Sequence, residues 1–253
     1  MSSPVSILGP FPIPHVGSRH VRLHLPHHVG KGAAPLLVMF DGQNVFDDAP
    51  SFAGGWHLHK AVRKVATKKR LEPAVVGLDH GGVDRIHDLI PWASQRSHGN
   101  LNHVIDWMVG FLLPMLAQRY GLNPPIEKRI IGGSSLGGLA ALYTHHRNPE
   151  AFGGVMAMSP SLWVGGERIF DTIASTSRPW TSRIYLDAGV HEARGSMLKS
   201  AARLSSLLAS RGYQKDSLRF RADPKGHHSE KDWKRRAPAA IRFLLPAPKG
   251  RKT

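Results

Sequence analysis

Seven short apolar runs punctuate the chain: HVRLHL (20–25), PLLVMF (35–40), AVVGLD (74–79), KRIIGGS (128–134), GVMAMS (154–159), RIYLDAG (183–189) and SLRFRA (217–222). Most are continuously apolar rather than alternating, as in strands buried on both faces of a parallel sheet. Between them lie segments compatible with helix, notably 101–120, 136–147, 196–212 and 231–245. Pro114 and Pro238 are expected to kink or divide the first and last of these. Strand alternating with helix predicts an α/β fold, a mostly parallel central sheet sandwiched between helices. The chain has no repeat, low-complexity linker or break in composition, so residues 1–253 read as one domain, with an irregular, proline-interrupted segment over 1–18 and a basic tail over 246–253. The stretch 80–100 has the least periodicity, and a loop of that length shapes or covers a site.

Composition narrows the class. With 41% hydrophobic and 21% charged residues the chain is that of an ordinary globular protein, away from the disordered regime. Its charge is unusual, +16 from 34 Lys and Arg against 18 Asp and Glu. Nucleic acid is the first partner to weigh. The positive residues are spread out, however, with short clusters at 68–70, 234–236 and in the 249–253 tail, and no recognition module accompanies them. No specific nucleic acid is expected, and a field favouring anionic substrates, or simple solubility, suits the pattern better. The absence of cysteine removes disulfides, thiolate ligands and a Cys nucleophile together. The first residues lack a basic region and are broken by Pro4, Pro10, Pro12 and Pro14, which is unlike a signal peptide. No run reaches transmembrane length, so no membrane partner is expected and a cytoplasmic location is preferred.

The densest chemistry lies in RIIGGSSLGGLAALYTHHR, residues 129–147. Gly133, Ser135 and Gly137 spell G-x-S-x-G, whereas Ser134 as centre would put Leu136 where a glycine is wanted. A serine on a sharp strand-to-helix turn needs glycine two residues before and after, where side chains would collide. The flanking KRII and LAALYTHH supply the strand and the helix. The first helical residue, Leu136, would aim its N–H at negative charge developing beside the hydroxyl. The same glycines match no phosphate-loop or dinucleotide pattern, and the bland alternative is a turn that merely reverses direction.

A serine nucleophile needs a base and an orienting acid, in the order Ser, acid, His for an α/β-hydrolase sheet. Glu192, in the loop after RIYLDAG, is favoured as acid over Asp187 inside that run. His228 is favoured as base over its neighbour His227, in the loop after the last strand.

These residues resemble the putative-esterase family of the α/β-hydrolase superfamily, the group of esterase D, enterobactin esterases, feruloyl esterases and mycolyltransferases. LLVMFDGQNVFDD is similar to its strand and oxyanion loop, AVVGLDHGGVDRIHDLIPW to its next strand and R-x-x-[ED] segment, and GGSSLGG to its elbow. MSPSLWV, YLDAGVHE and GHHSEKDW resemble the later segments with the pocket wall, the acid and the histidine. The resemblance implies Ser135 as nucleophile, Glu192 as acid from a G-x-x-[DE] pattern at Gly189, and His228 as base. It also implies that the N–H of Gln43, after Asp41 and Gly42, joins that of Leu136 in the oxyanion hole. Asp88 stands where many relatives carry Glu.

The expected activity is a serine carboxylic-ester hydrolase working through an acyl-enzyme on a small, phenolic or anionic ester. An acyltransferase on the same scaffold and a non-catalytic basic binding protein are the alternatives. Asp41, Asn44, Phe46, Arg85, Trp92, Trp163 and Trp233 are candidates for the substrate pocket, and Arg85 or Lys225 for recognition of an anionic ester. No cofactor is expected. His57 with His59, and His145 with His146, lack a carboxylate-spaced metal motif, so no metal is expected either.

Overall fold

Each apolar run forms a strand. A computed structural model describes residues 5–27, 34–51, 53–67, 71–93, 98–176 and 182–246. Its strands are β1 (Ser6–Ile13), β2 (Gly17–His24), β3 (Leu36–Phe40), β4 (Ala74–Leu78), β5 (Arg129–Ser134), β6 (Gly154–Met158), β7 (Arg183–Gly189) and β8 (Leu218–Asp223). Among the described residues they make one sheet in the order β1-β2-β4-β3-β5-β6-β7-β8. β1 and β2 pair antiparallel, as do β2 and β4, and every other pairing is parallel.

β3, β4 and β6 are buried at every position, which is why their sequences do not alternate. Successive side chains still face opposite layers. Leu36, Val38 and Phe40 join one core with Ile131, Val155 and Ile184, whereas Leu37 and Met39 join the other with Ile130, Met156 and Tyr185. Following the chain, the helices are α1 (Gly42–Val45), α2 (Leu58–Val65), α3 (Arg85–Leu89), α4 (Leu101–Trp107), α5 (Leu113–Tyr120), α6 (Leu136–Arg147), α7 (Arg168–Ser175), α8 (Ser196–Ser210) and α9 (Glu230–Leu244). α2 and α9 cover the second core, and α4 to α8 cover the first.

Some expectations need correction. The N-terminal segment expected to be irregular carries β1, an edge strand paired to β2 from Ser6 opposite Leu23 to Ile13 opposite Gly17. Pro114 does divide its helix: a π turn at Met108–Leu112, closed by Leu113 N–H to Met108 O, separates α4 from α5. Pro238 does not, since α9 runs through it. The basic residues 68–70 and 249–253 lie outside the described residues. Among the described residues no helix is long and apolar enough to cross a membrane.

Candidate active site

The carboxyl ends of β3, β5 and β6 lie side by side, and each is followed by a non-glycine residue with positive φ: Asp41 (60°), Ser135 (55°) and Ser159 (43°). Such backbone persists only where its surroundings over-determine it, and it clusters at functional sites. At Ser135 the surroundings are explicit. Its N–H bonds Met158 O at 3.0 Å, and its carbonyl accepts from Gly138, Leu139 and Ser161. Gly133 lies so close to the start of α6 that a Cβ there would sit 2.5 Å from the Gly137 carbonyl carbon. The glycine spacing is thus a packing requirement of the turn. Leu136 opens α6, and Gln43 lies in the first turn of α1, so neither amide has an intrahelical acceptor. The Gln43 side chain donates to His80 O at 2.9 Å and accepts from His80 N–H at 3.1 Å, which fixes its loop to the end of β4.

His228 and Glu192 come together. Glu192 Oε2 lies 3.3 Å from His228 Nδ1, and the carboxylate is buried while the imidazole is about one third exposed, at 35%. Its other oxygen, Oε1, accepts from Ser159 Oγ at 2.7 Å, Gly189 N–H at 2.9 Å and Arg236 Nη2 at 3.2 Å. Burial alone would raise the Glu192 carboxyl, but the bonds from His228 and Ser159, the Arg236 charge and the Gly189 amide bring it below its ordinary value. His228 is set by the N-terminal cap of α9. The capping residue is Ser229, whose side chain accepts the Asp232 N–H, while the Asp232 carboxylate in turn accepts from Ser229 Oγ and the His227 N–H.

The rival residues lie elsewhere. His227 stacks on His191 with ring centres 4.9 Å apart. Asp187 is fully buried in β7, accepts the Ser159 N–H and faces Arg236 Nη1 at 3.4 Å. Ser135 Oγ makes its hydrogen bond to Ser161 Oγ at 3.1 Å, and among the described residues none joins it to His228.

Ser135 and His228 open into a cleft of about 530 Å3 lined also by Gln43, Asn44, Pro50, Ala53, His80, Arg85, Glu230 and Trp233. Of the aromatic candidates only Trp233 lines it, packed edge-on against His228 with its indole N–H on Ser159 Oγ. Phe46 is buried beside His59, Trp92 packs on Tyr143, and Trp163 is half exposed away from the lining. Arg85 lines the cleft, but both arms hold Asp41, at 2.6 and 2.7 Å, so Asp41 is a buried anchor rather than a wall. Asp88 likewise clamps Arg19 of β2 and the Gly81 N–H. The R-x-x-D segment is therefore a pair of structural clamps. Lys225 is not among the lining residues.

Sequence reasoning missed Ser159, Arg236 and His80. Burial lowers the His80 imidazole from its ordinary value, and its Nδ1 accepts the Gly82 N–H. Arg236 belongs to a basic run that reads as solvated charge, yet it is buried against Glu192 and Asp187.

A mostly parallel eight-stranded sheet with a serine turn between β5 and α6 is the framework of an α/β hydrolase. The family model described as Putative esterase matches residues 16–244, and the chain belongs to that family, which makes it a carboxylic ester hydrolase. It is 28% identical over 176 residues to the iron(III) salmochelin esterase of Escherichia coli, covering 68% of this chain and 39% of that protein. The chain thus spans well under half the length of that relative. The BES protein of Bacillus cereus superposes with a TM-score of 0.76 at 19% identity, over 96% of this chain and 95% of that one. The enterobactin esterase FES of Shigella flexneri gives 0.73 at 20% identity, over 96% and 58%.

Proposed function

We propose that this chain, as a single α/β-hydrolase domain, hydrolyses carboxylic esters through an acyl-enzyme on Ser135, with His228 as base and Glu192 as its orienting acid. The observation that carries this reading is the Glu192–His228 contact at 3.3 Å, on the same cleft as the strained Ser135. His228 takes the Ser135 proton as the hydroxyl oxygen attacks the ester carbonyl, and the oxyanion is held by the Gln43 and Leu136 amides. The imidazolium then protonates the departing alcohol, and water, activated by the same histidine, releases the acid. Ser161 Oγ can donate to Ser135 Oγ, which leaves the Ser135 proton for His228.

For the substrate we infer a small phenolic or anionic ester. The salmochelin and enterobactin relatives and the net charge of +16 support that class. Turnover of short p-nitrophenyl esters by the protein and by Ser135→Ala tests the mechanism. A fall of at least about 10^4-fold in the variant, with unchanged circular dichroism and free acid as product, is expected. Hydrolysis that survives the substitution would overturn it.

A further inference from the structure

Beyond the catalytic cleft, the loop after α1 gathers a second group of side chains. Asp47, His57 and His59 each present one ligand atom, all within 4.8 Å of one another. Asp47 Oδ1 lies 3.7 Å from His57 Nδ1 and 3.7 Å from His59 Nε2. Both imidazoles are buried; His59 turns Nε2 to Asp47, and among the described residues its other nitrogen, Nδ1, has no hydrogen-bond partner.

The local chain explains the convergence. Trp56 N–H bonds Asn44 O, and His57 N–H bonds Phe46 O, which brings the start of α2 back against the end of α1. Gly55 permits the close return, since a Cβ there would sit 2.4 Å from the carbonyl oxygens of Phe46 and Asp47. His57 caps α2 in the left-handed region at φ 49°, and Leu58 between the two histidines is fully buried. The remaining His57 nitrogen, Nε2, is held at 2.9 Å by Asp48 Oδ1, which also accepts the Gly55 N–H at 2.9 Å. A carboxylate on one ring nitrogen fixes the tautomer and leaves the other nitrogen's lone pair for a metal.

We propose that Asp47, His57 and His59 form a site for a divalent transition metal of the zinc class, which pins the loop that carries Asp47 to α2. Tetrahedral coordination with bonds of about 2.0–2.2 Å separates ligand atoms by about 3.4 Å. The two carboxylate-to-imidazole distances therefore need shrink only slightly, whereas the imidazole pair, within 4.8 Å, has up to about 1.4 Å to close on the ion. Two imidazoles and one carboxylate select such an ion over magnesium or calcium. Lys60 Nζ, 3.2 Å from His57 Nδ1, competes for the same lone pair, and its exposed side chain must swing outward when the metal binds. Pro50 and Ala53 of the pinned loop line the catalytic cleft, so the metal orders one wall of that cleft and takes no part in the ester chemistry.

Zinc titration by calorimetry on the full chain, after treatment with a chelator, tests the site beside Asp47→Ala, Asp48→Ala and Lys60→Ala. All three positions are exposed, and circular dichroism checks their folding. One zinc per chain is expected, weakened by at least about tenfold in the two aspartate variants and tightened in Lys60→Ala. Zinc is expected to raise the melting temperature of the wild type and not that of Asp47→Ala. The chain has 16 histidines, including close pairs such as His87–His98, so the difference between variants is decisive. No zinc binding, or binding equal in wild type and both aspartate variants, would overturn the proposal.

Discussion

Two buried carboxylates, Glu192 and Asp187, share Arg236, and their surroundings drive their protonation apart. Around Glu192 the hydrogen bonds and the Arg236 charge outweigh burial. Around Asp187 burial dominates and pushes the carboxyl up to about 7, with Arg236 opposing and Glu192 and Asp223 adding to the rise. The consequences for stability have opposite sign. Glu192 stabilises the fold above the ordinary carboxylate range, and this is lost as pH falls through its depressed folded value. Asp187 holds a proton that the unfolded chain releases, so its contribution declines as pH rises from about 4 toward 7. Urea unfolding of wild type and Asp187→Asn across that window is expected to show the wild type losing stability relative to the variant as pH rises. Arg236→Met, which leaves two buried carboxylates without their cation, is expected to cost about 3–5 kcal/mol in the same measurement near neutral pH. At this scale Ser135, Glu192 and His228 were legible because each sits in a loop that follows a recognisable strand. Ser159 and Arg236 were not: one lies in MSPSLWV, which reads as pocket wall and gives no sign of a hydroxyl on Glu192, and the charge of the other gives no sign of burial. Phe46 and Trp92 mislead because an aromatic near a strand end packs on its neighbours as readily as it lines a cleft.

The elements that place the site depend on their ends. Ser229 and Asp232 cap α9 and tie the His227 backbone, so the cap that starts the helix also sets His228. Ser229→Ala is expected to cost about 1 kcal/mol of stability. Because His228 loses its register, kcat on p-nitrophenyl esters should fall more than KM changes, and steady-state kinetics beside thermal melting checks both. Continuous apolar runs made the central strands β3 to β7 readable, since strands covered on both faces leave few polar positions. β1 was hidden because it is an edge strand, mostly exposed, in which Pro10 and Pro12 are tolerated where a central strand would exclude them. Pro238 reads as a break, yet it and Lys234, whose carbonyl loses its helical donor, lie outside the fully buried stripe of α9.

Over the whole molecule, charge and site are only loosely connected. Arg19, Arg22, Arg85, Arg235 and Arg236 are engaged by carboxylates, and the cleft itself contains Glu230 beside the neutralised Arg85. The net +16 therefore acts as a long-range field rather than as a local anion pocket. Raising ionic strength is expected to lower kcat/KM for an anionic ester while leaving that of a neutral ester of similar size unchanged, because the field is screened within about 10 Å at 0.1 M salt. Equal salt dependence for the two would remove the charge from substrate selection. The central claim, that the strained turn between β5 and α6 presents a nucleophile, is tested most directly by labelling with a fluorophosphonate followed by peptide mapping. One equivalent of label on Ser135, lost in His228→Ala, is the predicted result; label on Ser134 or Ser161, or none on a protein that hydrolyses esters, would contradict it.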